Sequence, residues 1–274
     1  IRGSAQGPTA EFLRFIDKSP VGERIDRFTE DMLAIGNGHL DLEFDMPLRH
    51  VDKTTVRGDF LFRDNTITVI PGLPPVSQVN GRLKVSEKAV VAPEITGQVL
   101  GGPMRLSIRN EGERVNVVMG GTANVKEARR IFDTPLFESV AGMTPWKGEV
   151  AVRKKSADFV IESALAGVSS SLPEPFNKNA GSISALRIEK SNLPDGGDQI
   201  RVSLGKVLEA LIERRSEGEG LVVDRGVVAV GEPLPKLPTK GIVVAVTQPE
   251  IDLDAWRRLF DGRAGAAAPS GGAV

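Results

Sequence analysis

The segment GHLDLEFDMPL, beginning at Gly38, alternates without a break. Leu40, Leu42, Phe44 and Met46 share one phase, and His39, Asp41, Glu43 and Asp45 share the other. Successive strand side chains point to opposite faces, so this pattern specifies an antiparallel strand with one greasy and one wet face. The same grammar recurs, a glycine followed by apolar residues two and four positions on. It places Phe60 and Phe62 after Gly58, Leu83 and Val85 after Gly81, Val150 and Val152 after Gly148, and Val228 and Val230 after Gly226. Further alternating runs cover 106–108, with Leu106 and Ile108, 115–119, centred on Val117, and 159–165, with Phe159 and Ile161. Others cover 200–204 and 242–246. The spacing between units is uneven, which makes this a β-meander with a shared style and not a strict tandem repeat. GKVLEALIERR, from Gly205, has helix-favouring residue types but lies between strand patterns, and is read as strand from those neighbours.

Helical periodicity is confined to short stretches. Residues 1–36 read as a helical segment. Phe12, Leu13 and Ile16 make one apolar face, and Ser19-Pro20 opens a second helix along Ile25, Phe28, Met32 and Ile35 to a terminating Gly36. A helical insertion is expected near 124–142, with Asn124 capping Val125, Ala128, Ile131 and Phe132 and a further turn from Pro135 to Gly142. Residues 37–260 form the β domain around it. A last short helix in LDLDAWRRLF precedes an Ala/Gly-rich tail, 261–274, with linker composition.

Composition removes several function classes. Thirty-five basic against 36 acidic residues leave a net charge of −1, which argues against a nucleic-acid binder, a class that usually carries a basic stripe. There is no cysteine, and His39 and His50 lack metal-site spacing, so both read as surface residues of a strand and its turn. Neither a catalytic residue nor a metal or cofactor site is expected. The glycine pairs at 101–102 and 120–121 lack phosphate-loop spacing and read as bends in a curved sheet. The serine run in SSSLPEPFNKNAG, from Ser169, has neither a nucleophile elbow nor a linked histidine. It reads as an extended, unpaired crossing held by Pro173 and Pro175, with a new strand near Ser182. These readings leave two architectures open, an open apolar trough and a closed β-sandwich.

One group of segments narrows the choice. SALAGVSSSLPEPFNK, PPVSQVNGRLKVSEKAVVAPEITGQVLGGPMRLSI and GMTPWKGEVAVRKKSADFVIES together resemble the central region of YhdP-type proteins of the AsmA-like family. The resemblance runs from about Ile1 to Trp256 and is most specific between Leu73 and Lys178. It implies a mainly β fold, a long curved antiparallel sheet forming an open apolar trough with a few short amphipathic helices. It also implies a membrane-anchored parent that spans the Gram-negative periplasm and conducts phospholipids between inner and outer membranes. The partners so implied are phospholipid acyl chains, neighbouring groove segments of the same parent chain, and membranes reached through that parent. The residues expected to line the trough are Leu40, Leu42, Phe44, Phe60, Phe62, Leu83 and Val85 in the first half. In the second they are Leu106, Ile108, Val117, Val150, Val152, Phe159 and Ile161. The alternative function is a structural or adhesive β-domain whose apolar face is a closed core; an enzyme using one of the many carboxylates ranks below both.

Overall fold

The structure, a computed structural model, describes residues 1–18, 29–45, 55–69, 73–86, 89–111, 114–130, 134–153, 156–194, 196–218 and 220–261. These residues build one 15-stranded sheet. Its first half runs β1 (Arg2–Pro8), β2 (Leu33–Asp45), β3 (Thr55–Thr68), β4 (Val76–Ser86), β5 (Val90–Val99), β6 (Gly102–Glu111) and β7 (Arg114–Asn124). It continues through β8 (Val140–Arg153), β9 (Ser156–Ser163), β10 (Val168–Ser170), β11 (Leu186–Asn192), β12 (Asp198–Leu204), β13 (Leu208–Glu217), β14 (Gly220–Val230) and β15 (Gly241–Val246). Each strand pairs antiparallel with its predecessor, with two exceptions. β10 leaves the path to pair with Val140–Gly142 of β8, so that β11 pairs with β9. β15 runs parallel to β14. The sheet does not close: β1 stands at one end, β15 at the other, and the whole curves like a trough. Fourteen strands on the main path, stacked at about 4.8 Å, extend the sheet by roughly 60 Å.

The curvature has local causes. The register gives an extra residue to β3 between Phe62 and Asn65, to β4 between Val76 and Val79, and to β5 between Ala92 and Ile95. A bulge bends its strand and steepens the twist, and three in adjacent strands form a crease. Pro93, inside β5, sits in the bulge between Ala92 and Ile95, where no ladder hydrogen bond is required of it. Gly81 is fixed by its backbone, with φ at 146° and an added Cβ only 2.8 Å from the Glu94 carbonyl oxygen. The small compact core lies beneath this crease, where Ile67, Val79, Ala92 and Ile95 pack with Ala34, Phe62 and Leu106.

The two long rims of the sheet differ. The rim holding the ends of β1 and β7 carries the helices. α1 (Thr9–Asp17) follows β1 and packs on β2. Two 3₁₀ turns, Val125–Arg130 and Pro135–Ser139, link β7 to β8, and the Asn124 side chain accepts from Lys126 N–H at 3.2 Å. α2 (Leu253–Asp261) returns along the same rim to the second turn, with Trp256 edge-on to Phe176 at 5.7 Å. The opposite rim carries the hairpin ends of β2, β6, β9, β11 and β13. The crossover before β15 must cover one face of the sheet. Val227 and Ala229 lie on the face bearing Glu209 and Leu211 and are fully buried, which puts the proline-rich segment 231–240 over that side.

Several sequence expectations are corrected. Residues 1–36 are not wholly helical: Arg2–Pro8 is strand β1, and Leu33–Gly36 open β2. RGSAQGP has no apolar alternation because it is an exposed edge strand held by its backbone ladder to β2. Gly36 does not terminate a helix; it takes φ 117° within β2, opposite the β3 bulge, and Ile35 is 74% exposed. The insertion at 124–142 is two 3₁₀ turns, and Gly142 already belongs to β8. The crossing after Leu165 is paired, through β10 and a bridge between Ser170 and Lys178. The strand reading of Gly205–Arg215 holds for β13. Ile25, Phe28, Met46, His50, Ile131, Phe132 and nearly all of the 261–274 tail lie outside the described residues.

Candidate functional site

Residues opposite one another in a ladder share a face, so the register traces the apolar face from strand to strand. Leu40 lies opposite Phe60, and Phe60 opposite Leu83. Beside that row run Leu42, Gly58 and Val85, and Phe44 lies opposite Val56. Phe62 connects through Gly81 and Ile95 to Leu106, and Ala92 lies opposite Ile108. Ile108, Val117, Val150 and Phe159 then form one unbroken row, flanked by Val115 with Val152 and by Met119, Gly148 and Ile161. All fourteen sequence-chosen positions therefore occupy one face. The face continues beyond them through Ile188, Val202, Ala210, Val228 and Val244.

This face is uncovered. Phe60 is buried, at 8% exposure, but Leu40, Leu42, Leu83, Val85, Leu106, Val117, Val150, Val152 and Ile161 all remain part-exposed. A sandwich partner sheet would bury its mid-strand side chains, and among the described residues no second sheet packs here. The closed-core architecture is thereby set aside. At the β1 end α1 does cover the face: Phe12 meets Phe60 edge-on at 5.2 Å, and Phe60 meets Phe62 at 4.8 Å. Gly38 makes room for this cluster, since an added Cβ would fall 2.1 Å from the Phe60 ring. Thr9 and Asn65, both fully buried, anchor α1. The Thr9 hydroxyl donates to Asn65 Oδ1, and Asn65 Nδ2 donates to the Asn37 and Arg63 carbonyls at 2.9 and 3.1 Å.

The other face carries charged pairs along β2 to β11. Arg82 pairs with Asp59 at 3.1 Å, and a cross-strand ladder joins Lys147 to Glu162 at 2.7 Å and Glu162 to Arg187. Lys147, and then Arg187, hold the Glu162 carboxyl below the usual carboxylate range. His39 lies on this face, 3.2 Å from both the Ser4 hydroxyl and an Asp41 carboxylate oxygen. The serine loop is held by a lysine. Lys178 Nζ donates to the carbonyls of Val168, Asn179 and Ser182 at 2.8, 3.2 and 2.6 Å, and burial pushes its pKa down. Among the described residues no three His, Asp or Glu side chains are grouped to hold a metal ion.

One polar cluster interrupts the apolar face, and sequence reading missed it. Lys190 lies opposite Phe159 and Ile200, and Asp198 lies opposite Asn192 and Arg214, all in the apolar phase near the hairpin rim. Arg214 donates to both Asp198 oxygens, at 2.7 and 2.6 Å. Lys190 Nζ donates to the Ala157 carbonyl at 2.9 Å and to Asn192 Oδ1 at 2.8 Å, with Asp198 3.8 Å away. Burial pushes the Lys190 pKa down, while Asp198 raises that of Arg214. The signal was present in LRIEKSN, where a lysine follows Leu186 and Ile188 in the inward phase.

An apolar face this long and continuous is suited to holding a flexible apolar ligand at no fixed place, since few convergent polar groups would define a pocket. Comparison with curated proteins and with solved structures gives no match. The family model described as YhdP protein matches residues 1–271, nearly the whole chain, and the chain belongs to this AsmA-like family.

Proposed function

We propose that the chain is one segment of an envelope-spanning protein that conducts phospholipids between the inner and outer membranes along its apolar face. The observation that carries this reading is the register of apolar side chains running from strand to strand between β2 and β15, part-exposed along most of its length and covered by α1 at the β1 end. Each acyl methylene removed from water against such a face gains about 0.8 kcal/mol, whichever strand it lies on. Movement along the face therefore replaces one set of aliphatic contacts by an equivalent set. Family membership agrees with this role, and no catalytic step is part of it.

In this proposal the unpaired edges of β1 and β15 join neighbouring groove segments of the same parent chain. Ile242, Val243 and Val244 of β15 are more than 40% exposed, as expected of a strand that gains a neighbour. The site of action would be the periplasm, with anchoring and membrane contacts supplied by the parent. Among the described residues no helix is long and apolar enough to cross a membrane. The test is organic extraction of the purified chain followed by mass spectrometry. Phospholipid at one or more molecules per chain is expected, and a lipid-free, monodisperse protein would contradict the reading.

A further inference from the structure

We infer that Lys190 and Arg214 form a station for the phosphate of a lipid headgroup, at the hairpin rim of the apolar face. The inference rests on the lipid-conducting reading and specifies what the amphiphile carries. Three charged groups sit where the neighbouring positions are Phe159, Ile200 and Ile212. Placing charges on an apolar face is costly, and a structural ion pair needs only two of them. Arg214 already satisfies both oxygens of Asp198, whose side chain is 2% exposed. Lys190 is a second cation, 3.8 Å from the same carboxylate, so the three groups together carry one positive charge in excess.

Among the described residues the other carboxylate that acts on Lys190 is Asp158. Asp158, on the outer side of β9, accepts from Asn192 N–H and Nδ2 at 2.9 and 2.8 Å; Lys190 is not among its hydrogen-bond donors. The Ala157 carbonyl and Asn192 hold the Lys190 ammonium in place, with 17% of its side chain open to solvent, and Arg214 is 31% exposed. The placement suits an amphiphile. Aliphatic rows lie inward of the cluster, through Ile188 and Val202, while solvent lies beyond the rim. A chain on those rows brings its phosphate to the two cations, where charge-assisted hydrogen bonds form.

The test is calorimetric titration of the purified chain with three probes. These are monomeric dihexanoyl phosphatidylglycerol, dihexanoylglycerol with the same chains and no phosphate, and inorganic phosphate. The phosphatidylglycerol is expected to bind roughly ten-fold more tightly than the diacylglycerol, about the effect of one charge-assisted hydrogen bond. Inorganic phosphate alone should give no measurable heat. Lys190→Met keeps the Arg214–Asp198 pair and should abolish the ten-fold preference while leaving diacylglycerol affinity unchanged; Lys190→Arg should retain it. Equal binding of the two lipids by the unaltered chain would overturn the station and leave the conduit standing. So would phosphate binding that needs no acyl chain, or a preference that survives Lys190→Met. Binding of neither lipid would overturn the lipid reading itself. The comparison within the unaltered chain decides the matter even if a variant fails to fold.

Discussion

Leu42→Asp and Val152→Asp are expected to leave a folded chain whose full-length parent no longer supports lipid passage. Both positions are mid-strand, on the apolar face and part-exposed. A carboxylate there keeps part of its hydration, so the fold should lose about 1–2 kcal/mol, a drop of roughly 2–8 °C in melting temperature. In a closed core the same unpaired charge would cost several kcal/mol, comparable to the whole stability of a typical domain. Passage should nevertheless fail, because an acyl chain would have to cross a hydrated charge on the apolar face. Thermal melting of the chain, beside complementation of a deletion strain by the full-length variants, separates the outcomes. Global unfolding by both substitutions would restore the closed core; full complementation by both would remove the conduit.

The second large effect is expected at Asn65. Its side chain is fully buried and joins three parts of the chain: Thr9 at the start of α1, Asn37 in β2, and Arg63 in its own strand. Asn65→Ala leaves a buried hydroxyl and two carbonyls without these partners, at a cost of about 2–4 kcal/mol. It also frees α1, so the contact of Phe12 with Phe60 should loosen and the β1 end of the apolar face should open. Urea unfolding would measure the loss, and amide hydrogen exchange in 9–17 would report the release. A change below about 1 kcal/mol, with exchange in α1 unaltered, would show that the network does not anchor the helix.

The apolar face was legible because period two is a strong signal wherever one side of a strand is wet. From GHLDLEF alone Leu40 and Leu42 are assigned to one side, and the register bears this out. What failed to show followed other physics. β1 is bound by backbone hydrogen bonds and presents no apolar residues to a pattern search. β5 contains Pro93, normally an argument against an interior strand, and is rescued by a bulge that only its neighbours reveal. Met32 and Ile35, three apart, matched a helical face, but Met32 precedes β2 and two positions are too few to tell a period of 3.6 from a period of two. The parallel β15 depends on a crossover whose direction no local propensity records. The Lys190–Asp198–Arg214 cluster joins residues from three strands; the sequence shows one inward lysine, and only the register brings it to an ion pair.

The most direct measurement places a photo-crosslinker on each side of a single strand. Val117 and Val118 are adjacent in β7: Val117 lies in the apolar row with Ile108 and Val150, while Val118 faces outward and is 53% exposed. With p-benzoylphenylalanine at each position in turn, the full-length protein would be irradiated in living cells and examined by mass spectrometry for lipid adducts. The account predicts phospholipid adducts at 117 and none above background at 118. Equal labelling at the two positions, or labelling confined to 118, would contradict it.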